Sequence, residues 1–253
     1  MLESRLAAAP DLDPRRLGGQ LWGIDDGLGS SLRAAVFCGG NLIPTGDDLA
    51  GLELIAERVS RTSRGCSSIV GASEAVQAVW SVLVPRWGPA RAVRQAQPLL
   101  VTRARGPVPA DPAVRRVRTA ELRLFLPAAI AMFTEELGVS PIGADAGAGY
   151  RSRVSELIGS GRAFARFDER GRVQFKAEIG VLGSETAQIQ GVWVRPDLRG
   201  QGIGTAATAA VIEYGLYLAP SVSLYVNDFN LAARRMYDRL GLRESRTLST
   251  VLF

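Results

Sequence analysis

Arg199-Gly200-Gln201-Gly202-Ile203-Gly204-Thr205 stands where a strand pattern, Ile189 to Val194, gives way to an apolar helix pattern, Ile203 to Leu218. Three glycines alternate across that change. Glycine has no Cβ, so the backbone can come close to another group and offer it N–H donors. The first N–H groups of a helix lack intrahelical partners, and the helix dipole adds partial positive charge beside them. A phosphate or pyrophosphate suits such a turn. Spacing then removes two familiar ligand loops. The dinucleotide fingerprint needs G-x-G-x-x-G and an acid about twenty residues on. Here the third glycine comes one residue early, and the acid's place reads Ala219-Pro220-Ser221. A Walker A loop ends in Gly-Lys-Ser/Thr, and Gly204-Thr205 lacks the lysine.

Downstream, Val222 to Val226 reads as a short strand rich in strand-favouring residues. Asn227-Asp228-Phe229-Asn230 follows, with Asn230 placed to cap a helix from Leu231 to Leu240 and Gly241 placed as its C′ residue. Tyr237 falls in the last turn. This order of strand, glycine turn, helix, strand, asparagine and tyrosine-bearing helix resembles the GNAT N-acetyltransferase superfamily. Val192-Trp193-Val194-Arg195-Pro196-Asp197-Leu198-Arg199-Gly200-Gln201-Gly202-Ile203-Gly204 looks like that family's acetyl-CoA motif, V-x-P-x-x-R-G-x-G-I-G. Asn227, Asn230, Ala233, Tyr237, Leu240, Gly241 and Leu242 look like its N-x-x-A-x-x-x-Y-x-x-x-G-F ending, with Leu242 in place of Phe. Both motifs, in order, cover residues 186–243.

Arg103 to Val114 carries three prolines and a glycine and reads as a linker. The expected division is an N-terminal α/β accessory domain over 1–103, a linker over 104–113 and an acetyltransferase domain over 114–253. Past the linker, Val114 to Arg118 reads as a strand, Glu121 to Glu136 and Tyr150 to Ile158 as helices, and Gly138 to Gly149 as a loop. Ala163 to Phe167 and Arg172 to Ile179 form a hairpin through Asp168-Glu169-Arg170-Gly171, and Gln188 to Val194 is a fourth strand. That α/β (α+β) order is the GNAT fold's, a mixed central sheet flanked by helices. Before the linker, Ala34 to Phe37, Ser67 to Val70 and Leu99 to Val101 read as strands, and Leu49 to Arg58 and Glu74 to Val84 as helices. This half has no R-x-x-G-x-G turn. It is similar to the N-terminal domain of two-part actinobacterial GNAT proteins, a degenerate acetyltransferase half. Gly39-Gly40-Asn41 is read there as a turn.

Composition sets bounds. With 253 residues, 47% hydrophobic and 22% charged, the chain has room for one or two domains. It has no histidine, which removes histidine ligands, Ser-His-Asp triads and Cys-His pairs. Cys38 and Cys66 are too few for a disulfide framework or zinc cluster, so no metal is expected. No apolar run has the length of a membrane helix. Met1-Leu2-Glu3-Ser4-Arg5 lacks the layout of a signal peptide, so a cytoplasmic setting is expected. The net charge of +5 comes almost wholly from arginine, Lys176 being the one lysine. No aromatic-interleaved basic stripe accompanies it, and nucleic acid is disfavoured as a partner.

The resemblance implies chemistry. Backbone N–H groups from Arg199, Gly200, Gln201, Gly202, Ile203, Gly204 and Thr205 would hold the pyrophosphate of acetyl-CoA, with Arg199 adding charge. The backbone of Val192, Trp193 and Val194 would pair with the pantetheine arm, and an N–H there would polarise the acetyl carbonyl. Tyr237 would be the general acid for the departing thiolate. Its alternative is an amphipathic core tyrosine. Asn227 would bond the pantetheine or the strand backbone, and Asn230 and Ala233 complete the motif. The general base is not part of either motif, and the fourth strand carries Gln188 and Gln190 where many relatives have an acid. Alternation puts Gln174, Lys176 and Glu178 on one face of the third strand. That face is read either as an exposed charged surface or as supplying Glu178 as the base. The expected activity is direct acetyl transfer to a primary amine in a ternary complex, and the alternative is a non-catalytic acyl-CoA-binding regulatory module. The amine acceptor is left open, and a homodimer is allowed.

Overall fold

The structure is a computed structural model that describes residue 6 and residues 12–27, 31–143 and 146–253. The reading of Met1 to Arg5 lies outside these, as do residues 144 and 145 of the expected loop. The chain forms two compact units. Unit 1 comprises Met1–Leu99, Tyr225–Asn230 and Glu244–Phe253, and unit 2 comprises Leu100–Leu224 and Leu231–Arg243.

Unit 1 opens with α1 (Pro14–Leu17), β1 (Gly19–Asp25), β2 (Leu32–Gly39) and β3 (Asn41–Gly46). It continues through α2 (Leu49–Val59), β4 (Ser68–Ala72), α3 (Ser73–Trp87) and β5 (Ala92–Thr102). Gly39-Gly40-Asn41 is the connection between β2 and β3. The antiparallel meander β1-β2-β3 meets β4 in a short parallel ladder, Asn41↔Ser68 and Leu42↔Ile69. The last strand of the chain, β11 (Arg243–Leu252), lies antiparallel to β4 and between it and β5. Val36, Leu42, Leu52, Ile55, Ile69, Val76, Val79, Leu83 and Val251 form the core.

Unit 2 contains β6 (Arg115–Arg116), α4 (Leu122–Leu137), α5 (Ala148–Gly159), β7 (Ala163–Phe167), β8 (Val173–Leu182) and β9 (Thr186–Val194). Then come α6 (Ile203–Leu218), β10 (Ser221–Tyr225) and α7 (Leu231–Arg239). Its strands run in the order β10-β9-β8-β7-β6, with β10 parallel to β9 and the other pairs antiparallel. The β7–β8 hairpin closes where Gly171 takes φ +73, a left-handed turn geometry open to glycine. Phe125, Ala129, Val154, Leu157, Ile158, Ala163 and Val173 pack as one cluster. Residues 103–113 hold no helix or strand. They are nonetheless tied down, because Asp111 donates its N–H to the Ala206 carbonyl and accepts from Arg166 at 2.8 Å.

Two stretches of the chain share an order. β3-α2-β4-α3-β5 and β9-α6-β10-α7-β11 are each strand, helix, parallel strand, helix, strand. The turn before the first helix of each series differs in chemistry. At α2 the Asp48 carboxylate caps the Gly51 N–H at 3.0 Å and pairs with Arg33 at 2.8 Å. Its oxygens occupy the position an anion would take, and their charge repels one. At α6 the N-cap is Gly202, which has no side chain to do either.

Glu121 anchors the entrance to α4. It accepts two bonds from Arg115 at 2.8 Å, one from Arg118 Nη2 at 2.8 Å and one from the Arg118 N–H at 2.9 Å. Arg115 first, and then Arg118, hold its carboxyl well below the usual carboxylate range. A depressed folded pKa contributes stability above the unfolded value, and that stability is lost as pH falls below it. Glu121→Gln should therefore cost about 2 kcal/mol at neutral pH, since bonds to charged groups are the stronger ones. The gap to wild type should begin to narrow below about pH 4, the unfolded carboxyl range, and go on narrowing as pH falls toward the depressed folded value. Thermal melts at pH 7 and pH 3 check this, and an equal gap at both would refute it.

Candidate functional site

The glycine turn follows β9 through a short 3-10 helix, Pro196–Leu198. Pro196 starts it and Arg199 leaves it in an extended conformation. Gly200 and Gly202 then take φ +77 and +82, values that L side chains rarely adopt. A Cβ built at either meets nothing within 4 Å, so these two glycines leave open space beside the backbone. Gly204 is different. Its Cβ would lie 3.0 Å from Val194 Cγ2 and 3.5 Å from Met236 Sδ. Gly204 therefore serves the packing of α6 against β9 and α7. Gly202 accepts the Thr205 N–H at 3.0 Å, closing the first turn. Gln201 donates from its side chain to the Asp197 carbonyl at 3.2 Å, bracing the loop from outside.

The Arg199 guanidinium is already held. It forms a salt bridge with Glu135 at 2.7 Å and donates from Nε to the Val194 carbonyl at 3.0 Å. Trp193 Nε1 donates to the same carboxylate at 3.1 Å. Arg199 first, then the indole, keeps the Glu135 carboxyl below its ordinary range. Glu135 thus ties the motif's arginine and the tryptophan of β9 to α4. No sequence signal marked it, because the contact spans 64 positions in the chain.

β9 is irregular on both sides. Its ladder with β10 runs from Ser221↔Thr186 to Ser223↔Gln188 and goes no further. On that side Gln190 to Val194 face no strand among the described residues. On the other side the β8 register shifts between Lys176↔Trp193 and Glu178↔Gln190. Three steps on β9 there match two on β8, which is a bulge. Gly191 sits in it at φ +60.

Lys176 and Glu178 lie under this bulge. They are 0% and 6% exposed, with Lys176 Nζ donating to Glu178 Oε1 at 2.5 Å. The exposed-surface reading of this face is overturned, since Met132, Phe125 and Gly191 surround it. Glu178 is paired opposite Gln190. By strand alternation Gln188 shares that face, and its Oε1 is buried without a hydrogen-bond partner among the described residues.

Tyr237, in α7, is 6% exposed. Burial, and then the Glu136 charge, push its phenol well above the ordinary value, so it stays protonated. The helix ends in a Schellman motif. The Leu242 N–H reaches the Tyr237 carbonyl at 3.1 Å and the Gly241 N–H reaches the Asp238 carbonyl at 2.9 Å, with Gly241 at φ +83. Leu242, which replaces the motif's Phe, is buried. Ala233 lies on the same helix.

Asn227 and Asn230 group with unit 1. Asn230 directly precedes α7, and its N–H donates to the Asn227 carbonyl at 3.0 Å. The Asn227 side-chain oxygen accepts from Gln97 Nε2 at 2.8 Å, and Gln97 Oε1 accepts from Thr250 at 2.5 Å. Gln97 is 1% exposed and was invisible to motif reading. Gln97→Leu should leave Asn227 without its donor and Thr250 without its acceptor, costing about 1–3 kcal/mol. Urea unfolding measures it, and an unchanged midpoint would refute the network.

Two family models match parts of the chain. Residues 145–242 match the acetyltransferase (GNAT) family, and residues 19–125 match a domain of unknown function, DUF4081. No curated protein matches the sequence. Among solved structures, a GCN5-related N-acetyltransferase from Kribbella flavida is similar at 18% identity and TM-score 0.58, covering 99% of this chain and 95% of that one. A GNAT acetyltransferase from Colwellia psychrerythraea gives 12% identity and TM-score 0.57 over 93% and 85%. A Drosophila protein gives 14% identity and TM-score 0.64 over 94% and 80%. These likenesses establish the fold.

Proposed function

We propose that this chain, whose residues 145–242 belong to the GNAT acetyltransferase family, transfers the acetyl group of acetyl-CoA directly to a primary amine. One observation carries the reading. β9 parts from β10 after three paired residues, and its unpaired end leads through the glycine turn into a helix whose N-terminus is capped by a bare glycine. A parted strand edge offers hydrogen bonds to an amide-bearing arm, as in strand addition, and an uncapped helix N-terminus suits a pyrophosphate. Pantetheine joined to a pyrophosphate has both parts in that order.

The donor would lie with its phosphates on Gly200 to Thr205 and its arm along Val192, Trp193 and Val194. Arg199 contributes by holding the turn to Val194 and Glu135, and its charge acts at the phosphates from there. An N–H of the bulged backbone polarises the thioester carbonyl, the kind of fixed donor that stabilises developing negative charge. The amine nitrogen attacks the carbonyl carbon, the C–S bond breaks, Tyr237 gives its proton to the thiolate, and the proton shed by the acetylated nitrogen restores the phenol through water. Ala233, on α7, completes the donor site. The acceptor comes from the face that carries Gln188, Gln190 and Glu178, where the buried Gln188 oxygen can accept an N–H. Glu178, the candidate base, has Oε1 engaged by Lys176. We place the reaction in the cytoplasm, in line with two free cysteines. No helix among the described residues is long and apolar enough to cross a membrane.

A second reading has its own support. The acceptor face of β9 presents two amides and no carboxylate, which fits a non-catalytic acyl-CoA-binding regulatory module. One experiment separates the readings. Calorimetric titration with acetyl-CoA and with NAD is followed by thiol release from acetyl-CoA across a panel of primary amines. Acetyl-CoA binding with turnover of at least one amine is expected. Binding without turnover favours the regulatory module, and tight NAD binding without acetyl-CoA binding overturns both.

A further inference from the structure

Among 30 lysines and arginines the chain has a single lysine, Lys176, and among the described residues it is the one basic side chain with no exposure at all. A buried ion pair returns little net stability against replacement by apolar side chains of similar volume. Its geometry is more telling. A Cβ on Gly191 would lie 2.6 Å from Glu178 Oε1, 2.9 Å from Lys176 Nζ and 3.1 Å from Met132 Cε. The pair therefore presses against bare backbone at the bulge, in space that every other residue would fill. Phe125 backs the ammonium, its ring centre 5.4 Å from Nζ. A planar guanidinium is larger and forked, whereas an ammonium is a compact point charge, which suits a space this close to the chain.

A bulge frees backbone groups from the strand ladder and bends the strand. Without support, freed groups can swing, and a hydrogen-bond donor aimed at a reacting carbonyl must be held to a fraction of an ångström. We propose that Lys176 and Glu178 form a positioning pair that holds the bulged Gly191–Val192 backbone in the orientation that binds the acetyl carbonyl of the donor. The proposal rests on the acetyltransferase reading and deepens it. Glu178 then serves as the anchor of Lys176, and the pair acts on the donor's acetyl end through the backbone.

The readout is the ratio of affinities for acetyl-CoA and free CoA, which share every contact except the acetyl group. Wild-type protein should bind acetyl-CoA about fivefold more tightly than CoA, the worth of one hydrogen bond. Lys176→Met should bring the ratio to one while leaving the affinity for CoA itself unchanged. A loss of general structure would weaken both ligands alike. Lys176→Met leaves a carboxylate buried alone, so the double variant Lys176→Met with Glu178→Gln removes both charges and should fold. It should show the same ratio of one. A second signal comes from the chain's single lysine. Protein labelled with 15N-lysine should give one side-chain resonance, and it should move with acetyl-CoA and stay in place with CoA. If wild type binds neither ligand, the acetyltransferase reading falls. If wild type discriminates and both variants discriminate equally well, or if wild type binds both ligands alike, the positioning pair is overturned and the acetyltransferase reading stands.

Discussion

Gly202→Val should abolish acetyl-CoA binding while the protein stays folded. Gly202 is the N-cap of α6 at φ +82. A left-handed backbone costs an L residue about 1–2 kcal/mol, and more for a β-branched one. The added Cβ brings no clash on top of that strain, because it meets no atom of the protein within 4 Å. The open space is where the pyrophosphate would approach, so valine would fill it and push the anion off the helix N-terminus. A loss of at least about a hundredfold in affinity is expected, some 2.7 kcal/mol. Gly202→Ala should keep most of the strain and lose less affinity, which separates strain from obstruction. Calorimetry with acetyl-CoA reads both, and an unchanged affinity for Gly202→Val would sink the donor site. Gly204→Val tests something else. Its Cβ would press on Val194, so it should lower the melting temperature by separating α6 from β9.

Tyr237→Phe should reduce kcat by about a hundredfold to a thousandfold with little change in the KM for acetyl-CoA, within the range of a lost general acid. The phenol is buried and protonated, so its ring contributes packing, and its hydroxyl would contribute the proton. Phenylalanine keeps the first and removes the second. The raised phenol pKa also predicts the pH behaviour. An unfolded tyrosine titrates near pH 10. A folded value above that leaves the donor fully protonated at every pH below it, so no kinetic limb from Tyr237 should appear between pH 6 and pH 9. The linked stability is complete below the unfolded value and is lost as pH rises beyond it. A Tyr237→Phe protein with wild-type kcat would remove the general-acid role.

Much of unit 2 was legible in the sequence. Ile203–Leu218 and Ala163–Phe167 have the bounds their patterns predict, because apolar periodicity and the Ala219-Pro220 stop are local signals. The left-handed glycines at 200, 202, 171 and 241 were legible for the same reason, since chirality constrains each residue by itself. Unit 1 was read less completely. β1 went unread and β5 extends seven residues before the predicted Leu99 start, because alternation there is weak and its partners lie far along the chain.

The sequence by itself determined the glycine turn, the helix that follows it and the capped tyrosine helix, all set by steric and hydrogen-bonding preferences within a few residues. Only the tertiary structure decided what those elements hold. It brought Glu135 to Arg199 and Trp193, and it gave Asn227 a buried partner in Gln97. It also grouped Glu244–Phe253 with the N-terminal residues. The bulge at Gly191 and the burial of Lys176 belong to the same class. A register shift is a relation between two strands, and a lysine's burial depends on whether a carboxylate and an apolar wall close around it. Neither has a period or a spacing to read along one chain, and both emerge only when the strands pair.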